Sequence, residues 1–223
     1  MKLNRIFALC VLPLACSANA EDYNFAMIKS GFDQPLVSKD NAHTSSVNAT
    51  YHGGVEVGRK FKDIFAVGLE YSYRGKSNIK TENIQYGSNT TSATWAVRSN
   101  VFFVNFSADI VQDKKFTPYV KAGLGVAANK SYDYVQTDND PGYLTTTSTY
   151  QGKTKNNFAW QLGFGVSAAY NEKIDIDFSY MFSDRGKVET NQNYTLNGLT
   201  VDSPAKYIKL QDHLLTIGIK FKF

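Results

Sequence analysis

The sequence predicts an all-β chain, a single closed antiparallel transmembrane β-barrel of about eight strands. Three observations predict it. Apolar and polar residues alternate in run after run, which is the strand period and not the helical one. Beyond residue 20, no apolar stretch approaches the ~20 residues a membrane-spanning helix requires. Short connections alternate with long ones between the runs, the asymmetry of a barrel with short periplasmic turns and long extracellular loops.

The barrel is preceded by a targeting segment. Lys2 and Arg5 give a positive start, Ile6 to Leu14 a short apolar core, and Ala18-Asn19-Ala20 a small-x-small cleavage pattern. Residues 1–20 therefore read as a signal peptide for the Sec pathway, cut after Ala20, and residues 21–223 as the barrel. A lipoprotein site at Cys16 is the weaker reading, because Pro13 stands where such sites want an aliphatic residue. Cleavage removes both Cys10 and Cys16, so the mature chain has no thiol for a disulfide, a metal or a nucleophile. It also removes two of the positive charges, taking the formal net charge from +4 to +2. That is too near neutral to predict a nucleic-acid partner.

Strands are predicted near 22–32, 48–60, 64–75, 92–110, 116–129, 157–170, 174–185 and 211–223. The last is the clearest, with Leu215, Ile217, Ile219, Phe221 and Phe223 alternating with Thr216, Gly218, Lys220 and Lys222. Phe65 to Tyr73, Phe158 to Val166 and Ile174 to Phe182 repeat the pattern. Glycines and charges opposite large apolar groups suit a wall with lipid outside and a polar plug inside. A lipocalin-like soluble barrel has the same alternation turned inside out, and alternation alone does not separate the two.

Turns at Phe61 to Asp63, Val111 to Lys115 and Asn171 to Lys173 are short. Asp33 to Val47, Lys76 to Thr91, Lys130 to Asn156 and Gly186 to Leu210 read as long polar loops. Two strands read poorly. The first has apolar residues on both faces. The fourth shifts phase between Trp95, Val97 and Phe102, Val104, for which a bulge near Asn100 is the expectation. With short turns at the periplasm, Tyr51, Tyr71, Tyr73, Trp95, Phe158, Trp160, Tyr180 and Phe182 form an outer aromatic belt. Phe61, Phe65, Phe116, Tyr170, Phe221 and Phe223 form the inner one. Glu56, Glu70, Arg98, Asp109, Lys121, Asp175, Asp177, Lys220 and Lys222 point inward. In so narrow a barrel side chains fill the lumen, so an open pore is not predicted.

Three stretches carry a likeness: Phe116-Thr-Pro-Tyr-Val-Lys-Ala-Gly-Leu-Gly-Val126, Phe178-Ser-Tyr-Met-Phe-Ser-Asp-Arg-Gly186 and His213-Leu-Leu-Thr-Ile-Gly-Ile-Lys-Phe-Lys-Phe223. With them the chain resembles the opacity-type, OmpA-like eight-stranded outer-membrane barrels, including small rickettsial surface adhesins. The resemblance implies residence in the cell outer membrane, among lipid and lipopolysaccharide. It also implies a surface antigen whose loops contact host cells or serum proteins. Phe223 resembles the terminal signal read by the barrel-assembly machinery.

For loop contacts the candidates are Tyr132, Tyr134, Tyr143, Tyr150 and Tyr194, since tyrosine offers broad contact area with a polar tip. A structural barrel or minor conduit without a dedicated partner is the alternative. Catalysis is the least favoured. His43, His52 and His213 fall near one rim, with Ser45 and Asp212 beside two of them, but no hydrolase spacing is present. The chain is not predicted to be an enzyme. Single histidines and the absent thiols predict no metal and no cofactor. Asp138-Asn-Asp140 lacks the glycine and glutamate spacing of a calcium loop and reads as a turn before Pro141-Gly142. Gly123-x-Gly125 and Gly163-x-Gly165 lie inside strands and make room within the barrel, with no helix following to form a phosphate loop.

Overall fold

The computed structural model describes residues 22–36, 45–62, 64–86, 89–111, 115–140, 145–196 and 198–223. Among them are twelve strands and no helix: β1 (Tyr23–Leu36), β2 (Ser45–Val47), β3 (Thr50–Phe61), β4 (Phe65–Tyr86), β5 (Asn89–Asp109), β6 (Phe116–Ser131), β7 (Tyr134–Asn139), β8 (Thr146–Gly152), β9 (Thr154–Ala169), β10 (Ile174–Leu196), β11 (Leu199–Asp202) and β12 (Tyr207–Lys222). Eight of them pair in an antiparallel ring, β1–β3–β4–β5–β6–β9–β10–β12, and β12 returns to β1 over Phe25↔Lys222 to Leu36↔Gln211. The predicted signal peptide lies outside the described residues.

The solvent question left open by alternation is decided by exposure. Ile28, Phe32, Val55, Val57, Phe65, Val67, Leu69, Phe102, Val104, Phe106, Val120, Leu124, Val126, Leu162, Phe164, Phe178, Leu215, Ile217 and Ile219 all stand exposed on the outer wall. They run unbroken around the ring, whereas the largest apolar patch on a soluble monomer covers about 300–600 Å². Glu56, Glu70, Lys121, Asp175 and Asp177 are buried inside. The greasy face meets hydrocarbon. In β1, Phe25 and Met27 point inward and Ile28 and Phe32 outward, which accounts for its two apolar faces.

The wall is taller than the bilayer demands. β4, β5 and β10 run for 22, 21 and 23 residues, against about 9–11 for a tilted spanning strand. All three extend away from the short-turn end. Most of what the sequence offers as long loops is therefore sheet. β7 and β8 form a hairpin that pairs with β5 on one side and β10 on the other, β11 folds back on β10, and β2 lies on β4. The loop expectation fails because Thr, Tyr and Val, the strand formers of these segments, are diluted by Asn, Ser and Asp.

The expected bulge at Asn100 is absent. β5 pairs with β6 without interruption from Val97↔Ser131 to Asp109↔Tyr119. Trp95, Val97, Val101 and Phe103 all face inward, while Phe102, Val104 and Phe106 face out. What changes along β5 is the surroundings. Within the membrane Phe102, Val104 and Phe106 face lipid while Val101 and Phe103 face inward, and above it Trp95 and Val97 face the barrel axis. Two of the bulges lie in β4, between Arg74 and Ser77, and in β10, between Asp184 and Lys187. Each adds a residue and so turns the following side chains to the other face. In β10 it needs Gly186, whose φ of 74° suits a residue without Cβ.

Two assignments change as a result. Trp95, expected in the outer belt, is buried inside the projecting wall. Arg98, expected in the lumen, shares the outward face with Phe102 and Val104, since it lies an even number of residues from both. The remaining outer aromatics do gather, as the Tyr51–Tyr73, Tyr71–Phe102, Trp160–Phe182 and Phe164–Tyr180 ring contacts at 5.0 to 6.2 Å show.

Candidate functional site

Whether the barrel conducts depends on its interior, and inside the membrane that interior is closed by two layers of side chains. Lys29 Nζ lies 3.1 Å from Glu56 and 2.6 Å from Glu70, and Lys121 Nζ lies 2.5 Å from Glu56. Asn105 donates to Glu70 at 2.7 Å, and Gln161 donates to Glu70 and to Asn105 Oδ1 at 3.1 and 2.8 Å. Six side chains from six strands thus satisfy one another across the lumen, as buried charges require. Gly123 makes the room, because a Cβ there would sit 2.2 Å from Asn105 Oδ1.

A second layer lies nearer the outside. Arg185 holds Asp212 with two nitrogens, donates to Ser99 at 2.7 Å and stands 3.8 Å from Asp33. Ser99 donates to Asn129 at 2.6 Å, and Asn129 donates to the Arg185 carbonyl at 2.7 Å. Between the layers a pocket of about 10 Å³ lies beside Lys29, His52, Glu70 and Arg74, room for a single water at most. Below the first layer a cavity of about 390 Å³ is lined by charges that include Lys60, Asp109, Asp175 and Lys220. It ends at the Glu56–Lys121 pair.

Above the second layer the chemistry of the interior inverts. Ile79, Trp95, Val97, Val188 and Leu210 form a buried apolar cluster, with Val47, Tyr134 and Ile208 packed on it. Four strands of the ring supply its five buried members, so the projecting wall has a core like that of a soluble sandwich. Trp95 donates its indole N–H to Ser131 at 2.7 Å, which removes the cost of burying it. A run of rings continues from Trp95 to Tyr134, Tyr150 and Tyr194, with centroids 5.5, 5.6 and 5.1 Å apart.

The five tyrosines singled out from the sequence separate accordingly. Tyr150 is buried, Tyr134 and Tyr194 are half-buried against it, and Tyr143 lies outside the described residues. Burial raises the Tyr134 phenol above its ordinary value, with Tyr150 and Asp138 adding to the effect. These three hold the β7–β8 hairpin to the wall from inside. Tyr132 stands apart, on the outer face, among Lys76, Arg98 and Lys130. The sequence also conceals two exposed apolar groups of the projecting part, Leu199 beside the β10–β11 turn and Tyr207 at the start of β12. A lone Leu after Gly198 in a polar segment is the only trace of the former.

The described histidines do not form one site. His52 is buried inside, its Nε2 2.9 Å from Thr216 Oγ1. His213 lies on the outer face, stacked on Tyr180 and edge-on to Phe182. The wall separates them. His43 lies outside the described residues. Among these residues no group of three His, Cys, Asp or Glu is arranged to hold a metal ion.

Comparison with known proteins agrees with the fold. The outer membrane protein PagN of Salmonella typhimurium is 28% identical, over 86% of this chain and 88% of its own. A Rickettsia bellii protein named as an adhesin is 24% identical, over 78% of this chain and 75% of its own. Among solved structures, outer membrane protein OprG of Pseudomonas aeruginosa superposes with a TM-score of 0.48 at 16% identity, covering 91% of this chain and 97% of its own. The outer membrane protein beta-barrel domain family matches residues 7–221. With a closed ring, a lipid-facing apolar wall and a match across nearly its whole length, the chain belongs to that family of outer-membrane barrels.

Proposed function

We propose that this barrel is a surface adhesin, with the projecting sheet as the contact surface for host cells or host proteins. One observation carries the reading: the ordered sheet stands well above the membrane over a lumen blocked by two ionic layers. A conduit would need the opposite arrangement. The similarity to rickettsial proteins named as adhesins supports the same reading. On this view Tyr134, Tyr150 and Tyr194 act as scaffold, and contact falls to the outer face of β7–β8, with Leu199 and Tyr207 beside it. Tyr143 keeps its place as a candidate.

The proposal includes export. Residues 1–20 direct the chain through the Sec pathway and are removed after Ala20, and the strand ending in Phe223 is presented to the assembly machinery. It assigns no catalysis, since His52 and His213 cannot reach one substrate across the wall.

The test replaces residues 134–152 with a short Gly/Ser turn. The barrel should still shift in gel mobility on boiling, while bacteria expressing it lose adhesion to epithelial cells. Full adhesion by a correctly assembled deletion variant would overturn the assignment.

A further inference from the structure

Three cations on the outer wall have no acidic partner among the described residues. Lys76, Arg98 and Lys130 surround the ring of Tyr132, at 4.6 Å for Lys76 Nζ, 6.0 Å for Arg98 Cζ and 5.3 Å for Lys130 Nζ. Arg98 and Lys130 are cross-strand partners, and the β4 bulge brings Lys76 opposite Arg98. The backbone that carries the ring is held at both ends. Tyr132 N–H donates to the Ala96 carbonyl at 2.9 Å, and the Tyr132 carbonyl accepts from Ser131 Oγ at 2.8 Å.

The height of the cluster matters. Read upward along the outer face, β4 gives Phe65, Val67, Leu69, Tyr71 and Tyr73 before Lys76. β5 gives Phe106, Val104, Phe102 and Asn100 before Arg98. β6 gives Leu124, Val126 and Ala128 before Lys130. All three cations stand one step beyond the greasy band and its tyrosine fringe, at the level of the outer-leaflet headgroups. On the upper wall Lys209 lies 2.9 Å from Asp184 and Lys155 pairs with Glu189, while Lys187 and Lys206 each stand alone over one tyrosine ring; only at Tyr132, among the described residues, do three cations share a ring. Here, Arg98 Nε is buried without a hydrogen-bond partner. Three like charges converging on one ring repel one another, and a buried guanidinium nitrogen lacks an acceptor. A multiply charged anion with several oxygens relieves that repulsion.

We infer that Lys76, Arg98, Lys130 and Tyr132 form a docking site for the phosphorylated sugar headgroup of an outer-leaflet glycolipid of the lipid A class. Phosphate oxygens accept from Arg98 and the two ammonium groups, Tyr132 covers the sugar, and the acyl chains run down the wall over Phe102 and Val126. The site fixes the barrel to the leaflet and sets its height there. It rests on the membrane placement of the wall and not on the adhesin reading, and its test uses no host component.

The protein is assembled into zwitterionic nanodiscs, and capture of fluorescent bisphosphorylated lipid A is compared with that of the same lipid dephosphorylated. Phosphorylated lipid should bind tighter, and the difference should shrink about fivefold for each of Lys76→Gln, Arg98→Gln and Lys130→Gln. Lys155→Gln, which removes a lysine already paired, should leave it unchanged. Boiling-dependent gel mobility confirms that each variant is folded, and single variants guard against collapse of the triple one. Equal capture of the two lipids by the wild type would overturn the inference. So would phosphate-dependent capture that survives the triple variant. Displacement of lipid by soluble heparin, with no dependence on lipid phosphate, would assign the cluster to a polysaccharide and overturn it too.

Discussion

Arg185 shows how much one side chain can hold. Its guanidinium serves Asp212, Asp33 and Ser99 at once, all buried, and it comes from the residue beside the β10 bulge. Removing one partner of such a network leaves uncompensated charge, whereas removing both signs together does not. Arg185→Leu is expected to cost about 3–5 kcal/mol. Urea titration of the boiling-sensitive gel band in lipid would measure it. Arg185→Leu with Asp212→Leu should recover most of that loss. If the double variant were no better than the single, the ionic layer would not be the source of the stability.

At the scale of elements, the projecting sheet is a separable unit of stability. Its core depends on Trp95, which packs on Tyr134 and hydrogen-bonds Ser131. Trp95→Ala should open a cavity worth about 3–5 kcal/mol. Because the ring is paired independently of β7 and β8, the loss should stay local. Limited proteolysis should then cut within 132–153, with the gel shift of the barrel retained. A second tether runs from Lys153 and Lys155 to Glu189. The hydrogen bond from Lys155 holds the Glu189 carboxyl below its ordinary value of 4.5, with the two lysine charges assisting. A carboxyl lowered by folding stabilises above its ordinary value and loses that contribution as pH falls through the lowered one. Cleavage of the hairpin by an acid-stable protease should therefore rise as the pH is taken below about 4, and Glu189→Gln should abolish the dependence.

The same elements show what a single sequence reveals. The ring strands were legible because hydrocarbon on one side and ions on the other give the strongest possible period-two contrast, as from Leu215 to Phe223. The loops were not, because a sheet between water and a small core needs only an occasional inward apolar residue, such as Ile79 or Val188. The reversal along β5 was visible in Trp95, Val97 and Phe102. It reads as a bulge in β5 because one sequence does not tell which neighbouring strand carries the extra residue. The tyrosines stood out by composition, but which way each faces depends on the β7–β8 pairing, which no local pattern encodes.

For the whole molecule, two ionic layers in series make a closed cylinder. Planar-bilayer recordings of the purified barrel should show no discrete conductance steps. A Glu56→Ala, Glu70→Ala and Lys121→Ala variant opens the first layer alone and should remain silent, because the Arg185–Asp212 layer still closes the bore. Reproducible steps from the wild type would move the function back towards transport.

The apolar cluster above the membrane also constrains biogenesis. Its members lie far apart in sequence, with Ile79 and Trp95 early, Val188 late and Leu210 in the final strand. No nascent fragment lacking that strand contains the complete set. The hairpins must therefore cross the outer membrane unconsolidated, slender enough to be threaded, and set into a rigid crown only once the first and last strands have met. The part of the molecule displayed to the outside is thus the last part to become itself.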